Sequence, residues 1–160
     1  MSGNVYTIGI SDMVVSTEPD ARLITYALGS CIAVIGYDPL RHIGGLLHFQ
    51  LPESGSFPDA AATPYKFGDL GIPAMLAALY KAGADRNRLV VGTFGGASML
   101  KDEGVFEIGI RNARTCKKML WQAALFVKHE DLGGTTNRTV SIDLDTGHIH
   151  MKKDGHTIEL

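Results

Sequence analysis

The sequence predicts one domain that mixes strands and helices, and three observations carry that prediction. The chain has 160 residues, close to the ~100–150 of a common single domain, and no repeat or linker divides it. Hydrophobic residues make up 45% and charged residues 20%, ordinary globular composition with enough apolar material for a core without staples. Apolar runs rich in Ile, Val and Leu then alternate along the chain with two segments of one-face helical spacing. Glycine is the compositional outlier, at 19 residues against a usual share of about 7%, so tight turns or close backbone approaches are expected.

Taken in order, Leu23 to Ala27, Cys31 to Tyr37 and Ile43 to Gln50 read as consecutive strands joined by short turns at Leu28-Gly29-Ser30 and Asp38-Pro39. Leu51 to Pro64 carries Pro52, Gly55, Pro58 and Pro64 without periodicity, which predicts a surface loop long enough to be a lid. A helix follows: Asp69 can cap it, Pro73 sits near its first turn, Met75, Leu76, Leu79 and Tyr80 share a face, and Gly83 stops it. Leu89 to Phe94 reads as a strand broken by Gly95-Gly96-Ala97-Ser98. After a charged loop from Lys101 to Glu107, a second helix spans roughly Arg111 to Ala124, with Ala113, Cys116, Leu120 and Ala124 on one face and Cys116 buried. Val140, Ile142 and Leu144 alternate with polar neighbours, Asp145-Thr146-Gly147 turns, and Ile149 and Met151 alternate again, a half-exposed hairpin to which Thr157 to Leu160 adds an edge strand.

The charge balance excludes several function classes. Fifteen basic against seventeen acidic residues give a net charge of −2, so no polyanion-binding footprint and no nucleic-acid partner is expected. Met1 to Asp12 lacks a basic region followed by an apolar one, which predicts a cytoplasmic protein. The longest charge-free apolar stretch, Leu23 to Tyr37, is shorter than the ~20 residues of a spanning helix and is interrupted by Gly29, Ser30 and Gly36, so no membrane insertion is expected. Cys31 and Cys116 have no CxxC spacing and read as free thiols.

The chemistry concentrates between Thr25 and Pro52. A cysteine directly after Gly29-Ser30, at the start of a strand, sits where a turn lifts its sulfur out of the sheet and where backbone N–H groups can face a developing oxyanion. His48 lies one strand later, so a short return can bring its imidazole beside Cys31 and lower the thiol pKa from its usual ~8.5 toward neutrality. Thr25 can bond the other ring nitrogen and fix the tautomer. Spacing alone does not separate this trio from a small buried thiol and a satisfied core histidine. His148 and His150, with His156 or Asp143, offer a rival N/O metal cluster on a face that also reads as a solvated sheet surface. His42 and His129 stand beside charged residues and read as exposed. Gly95-Gly96 and Gly133-Gly134 lack the phosphate-cradle patterns and read as structural turns. Phe106, in a charged run, either tucks into the core or anchors a partner protein.

Taken together, Leu28-Gly-Ser-Cys31, Gly44-Gly45 through His48 and Leu51-Pro52, Phe94-Gly-Gly-Ala-Ser-Met99, Ile108-Gly109 with Arg111-Asn112, and Glu130-Asp-Leu-Gly-Gly-Thr135 closely resemble the CheD family of bacterial chemoreceptor glutamine deamidases. The resemblance covers about Leu23 to His150. It implies an α+β fold over residues 1–160, a single domain of mixed β-sheet layers with helices packed outside, similar to cysteine deamidases of the bacterial toxin type. Carried over by position, it implies a catalytic cysteine at Cys31, a histidine at His48 and an assisting threonine at Thr25, with Gly29 and Ser30 in the oxyanion turn and neither metal nor cofactor. The implied reaction converts selected glutamines of methyl-accepting chemotaxis receptors, in their cytoplasmic coiled coil, to glutamates, with a side activity on glutamate methyl esters. The alternative is an adaptor that binds receptors and the CheC phosphatase with little or no turnover.

Overall fold

The computed structural model describes residues 3–98 and 107–160. Its strands are β1 (Val5–Thr7), β2 (Asp12–Ser16), β3 (Arg22–Leu28), β4 (Ile32–Asp38), β5 (Ile43–Phe49), β6 (Val90–Gly95), β7 (Val127–Leu132), β8 (Arg138–Asp143), β9 (Ile149–Lys153) and β10 (His156–Glu159), and its helices are α1 (Gly68–Ala82) and α2 (Ile108–Gln122). Two mixed five-stranded sheets result, in the orders β1-β3-β8-β9-β10 and β2-β5-β4-β6-β7. Among the described strands only β1–β3 and β6–β7 pair in parallel, and α2 is the crossover that parallel β6 and β7 require.

The burial pattern follows from three stacked layers. Every residue of β4 and β5 is buried, because one face of these strands meets the other sheet and the opposite face meets the helices. Ala33, Ile35, Leu46 and Phe94 pack against Leu23, Val140, Ile142 and Met151 of the facing sheet. The alternate residues Ile32, Val34, Leu47 and Phe49 pack against Ile72, Met75 and Leu79 of α1 and Cys116 and Leu120 of α2. This agrees with the expected mixed sheet layers with helices outside. Among the described residues no helix is long and apolar enough to cross a membrane.

Several local expectations are corrected. The strands β3, β4 and β5 are consecutive in sequence but do not form one meander: β4 and β5 pair with each other, whereas β3 crosses to the facing sheet beside β8. Strands β1, β2 and β7 add to those that the sequence pattern predicts. Asp69 does not cap α1: Phe67 stands at the N-cap position with no side-chain cap bond, and the Asp69 carboxylate instead accepts from the backbone N–H and hydroxyl of Ser54. That contact ties down the loop expected to be a lid. Residues 51–64 are further held where Leu51 N–H donates to Lys66 O and where Phe57 packs on Phe67 at 5.1 Å between ring centres. Helix α2 begins three residues before Arg111. His42 and His129 are half-buried, not exposed, and His42 Nδ1 lies 2.8 Å from Leu144 O.

Candidate active site

Thr25 and His48 meet across the gap between the two sheets. Thr25 Oγ1 lies 2.8 Å from His48 Nδ1 and 2.7 Å from the carbonyl oxygen of Ile8, and both side chains are buried. A carbonyl only accepts, so the single hydroxyl proton of Thr25 goes to Ile8, and the hydroxyl lone pair accepts from His48 Nδ1–H. The imidazole is thereby fixed as the tautomer whose Nε2 carries a lone pair. Among the described residues that Nε2 has no hydrogen-bond partner. A bulge in β3 makes the contact possible. Between Thr25 and Leu28 the register against β8 shifts, and Ala27 adopts φ +53°, so two residues an odd number apart both point into the core.

Cys31 enters from the end of β4. Ala33 pairs with His48, so Cys31, two residues earlier, lies diagonally from His48 on the same strand face, a relation that spans about 7–8 Å between Cα atoms. Cys31 is half-buried and packs at the rim of the inter-sheet core. Gly29 and Ser30 are likewise partly accessible, and among the described residues neither the Ser30 nor the Cys31 N–H donates to another group. The turn therefore offers two donors beside the sulfur.

Two features that spacing did not reveal hold this turn. Asn112, buried in α2, donates both amide hydrogens: Nδ2 lies 2.8 Å from Ser30 O and 2.9 Å from Gln50 O. Two carbonyl acceptors on one atom fix the amide orientation. Asn112 thus clamps the start of β4 to the end of β5, the segments that carry Cys31 and His48. Asn112→Ala leaves two carbonyls without that donor; we expect a loss of about 1–3 kcal/mol of stability in denaturant unfolding. Inside a helix Asn is placed poorly on propensity alone, but that position shows only once α2 is seen to start at Ile108.

The second feature is the pair Gly95 and Gly96, at φ +114° and +68°. Gly96 N–H donates to Cys31 O at 2.9 Å and Ala97 N–H to Gly29 O at 2.9 Å. A side chain at Gly95 would run into the Cys31 carbonyl oxygen. From behind, Arg138 is fully buried and uses all five of its N–H bonds: two to Asp131 Oδ1 at 2.7 and 3.1 Å, and one each to Gly95 O, Gly133 O and Thr136 O.

Electrostatics differ from the expectation of a lowered thiol. Burial alone pushes the Cys31 thiol up from its ordinary value, and burial holds the His48 imidazole down at about 4. Among the described residues neither group has a charged partner to stabilise its ionised form, so at neutral pH the pair reads as a neutral thiol and a neutral imidazole, not a preformed thiolate and imidazolium. Alkylation by iodoacetamide, which follows the thiolate fraction, is expected to rise by roughly tenfold per pH unit between pH 6 and 8; a rate flat over that range would indicate the ion pair. Cys116, fully buried with its thiol pushed up to about 12, stays unreactive.

The other candidates resolve differently. His148 Nδ1 lies 3.5 Å from Glu159 Oε2 and His150 Nε2 lies 3.3 Å from Asp143 Oδ2, while Asp143 is engaged by Arg22 at 2.6 Å and His156 is exposed. Among the described residues no group of three such side chains converges on a metal position. Phe106 lies outside the described residues.

Comparison with known proteins gives a consistent relationship. The family model CheD, described as CheD chemotactic sensory transduction, matches residues 50–153. A protein of Syntrophus aciditrophicus named probable chemoreceptor glutamine deamidase CheD 1 is 44% identical over 149 residues, 92% of this chain and 93% of the relative. Proteins named as probable chemoreceptor glutamine deamidases CheD from Solibacter usitatus and Anaeromyxobacter dehalogenans are 41% and 42% identical, over 96% and 93% of this chain and 91% and 94% of their own lengths.

Proposed function

The chain belongs to the CheD family, and from that premise we propose that it is a cysteine-dependent protein-glutamine deamidase acting on chemoreceptors. The observation that carries the reading is a neutral imidazole, tethered through Nδ1 to Thr25 and without a partner at Nε2 among the described residues, on the same strand face as a half-buried thiol.

In the proposed mechanism, His48 Nε2 removes the Cys31 thiol proton as sulfur attacks the carbon of a glutamine side-chain amide. The tetrahedral oxyanion is held by the N–H groups of Ser30 and Cys31, with Gly29 allowing the turn. The imidazolium, held by Thr25, passes its proton to the amide nitrogen, the C–N bond breaks and ammonia leaves. His48 then takes a proton from water, which attacks the thioester; the C–S bond breaks and the proton returns to sulfur. The sum is glutamine plus water giving glutamate plus ammonia. No step needs a metal or cofactor. A glutamate methyl ester presents the same carbonyl with methanol as leaving group, and forms the side activity.

The proposal extends to the setting. The substrate segment is the cytoplasmic coiled coil of methyl-accepting chemotaxis receptors, the protein works in the cytoplasm as one unit over residues 1–160, and a CheC-type phosphatase is its partner where one is present. The decisive experiment is peptide mapping of a cognate receptor cytoplasmic fragment after incubation with the protein. Conversion of glutamine to glutamate at discrete sites supports the reading; a receptor that binds but is never converted supports the adaptor. Between the two limits set by the imidazole near pH 4 and the raised thiol, kcat/KM is expected to stay level as pH falls from 7 to 5, where an ordinary imidazole near 6.5 would already have lost most of its base form. Burial disfavours the imidazolium in the folded state, so stability is full above about pH 6.5 and is lost as pH falls toward 4.

A further inference from the structure

The exposed side of α2 has no use in the chemistry above. Its four charged residues, Arg111, Arg114, Lys117 and Lys118, are all basic and all exposed, in a chain whose net charge is −2. Ile110, Arg114, Lys117 and Trp121 follow at spacings of four, three and four, one continuous stripe along the helix. Ile110 is 43% and Trp121 80% exposed. Because α2 crosses back between parallel β6 and β7, it runs antiparallel to edge strand β7. Between the two lies a groove of about 340 Å³ lined by Ile110, Ala113, Arg114, Lys117, Leu132 and the glycines Gly96 and Gly133. One end of the groove is thus Gly96, whose N–H is bonded to the Cys31 carbonyl. Beyond the other end stand Trp121 and, at the entry to β7, Phe126, which is 86% exposed.

From this arrangement we infer that the α2–β7 groove is the docking site for the helical receptor segment that carries the target glutamine, and that it selects an amphipathic helix with an acidic flank. The inference rests on the deamidase reading and names its substrate determinant. Charge complementarity argues for the occupant. The floor is apolar, the α2 rim is cationic along a helix of about 22 Å, and the acidic residue facing it, Glu130, is a contact of Lys117 at 3.9 Å. Proximity to the turn that carries Cys31 argues for a substrate segment over an unrelated partner: a helix laid along α2 reaches Gly96 with its end, and from there the thiol, which faces the inter-sheet core, lies round the end of the sheet. Trp121 and Phe126 supply the apolar grip at the far end.

Trp121 is the chain's single tryptophan and reports occupancy without turnover. The probes are a tryptophan-free peptide of a cognate receptor's glutamine-bearing helix and the same peptide with every Asp and Glu replaced by Lys. In the Cys31→Ala protein the native peptide is expected to shift Trp121 emission to the blue and the inverted peptide to leave it unmoved. The double variant Arg114→Glu/Lys117→Glu reverses that preference, and Arg114→Gln/Lys117→Gln, which cannot repel, falls between. With Cys31 intact, the reversal raises KM for the native segment by at least about tenfold while kcat holds. Conversion with unchanged KM in the reversal variant, or with Trp121 unmoved, overturns the docking site and leaves the deamidase standing. Binding that follows the charge rule without conversion does the reverse. A blue shift that grows with protein concentration alone means a second copy fills the groove and also overturns the inference.

Discussion

Cys31→Ala and His48→Gln are each expected to lower receptor glutamine conversion by about 10⁴-fold, and the double variant by no more than either alone. The non-additivity is the informative part. His48 acts only by moving the Cys31 proton and returning it to the leaving nitrogen, so once the sulfur is gone the imidazole has nothing to do. Single-turnover mass spectrometry checks this, since neither variant should accumulate a thioester. Additive losses would mean that the two groups act on separate steps and would remove the proton-relay assignment. Cys31→Ala should unfold at nearly the wild-type temperature, because the SH group it deletes is only half-buried and makes no structural hydrogen bond among the described residues.

The largest stability effect is expected at Arg138. Arg138→Met keeps much of the volume but removes five hydrogen bonds at once, leaving the Gly95, Gly133 and Thr136 carbonyls without that donor. Asp131 keeps Lys153 at 3.1 Å, so its charge is not left wholly alone. Breaking a buried pair in this way costs about 3–5 kcal/mol, and for a chain of this size the melting temperature should fall by roughly 10 °C. Arg138→Lys should recover little, because an ammonium has three donors and no planar fork to reach four acceptors. Thermal unfolding followed by circular dichroism decides between this and a small effect, which would show that the carbonyls find water instead. The consequence extends to the turn beside Cys31, since Gly95 O loses one of its two donors and keeps only Gly133 N–H.

How much of this was legible beforehand depended on local pattern. β4, β5 and β6 announced themselves because strands covered on both faces are continuous apolar runs, and α1 because Gly83 ends it in the left-handed conformation that Gly tolerates. β1 is three residues long and shows no alternation to read. β7, with the sequence Val-Lys-His-Glu-Asp-Leu, looks like a polar loop. The contact between Thr25 and His48 was anticipated from their residue types, but as neighbours in one sheet; that they face each other across two sheets depends on the path of β3 and on the Ala27 bulge, neither of which has a sequence signature. The protonation state was misjudged for a related reason. Spacing suggests that a histidine meets a cysteine, whereas the depth of both in apolar surroundings, which decides who is charged, belongs to the assembled layers. Asn112 and Arg138 were invisible as supports because, Asp131 apart, their partners are backbone carbonyls, which every residue has.

The charged strand that hid itself from the sequence reading also protects the molecule. As the outermost member of its sheet, β7 presents a row of unpaired backbone groups on which a neighbouring molecule could grow, and sheet extension of that kind is the usual route to aggregation. Lys128 and Glu130 stand exposed along it, with His129 and Asp131 half-buried between them. A neighbouring strand approaching in register would have to desolvate both signs of charge, so this edge resists strand-to-strand growth.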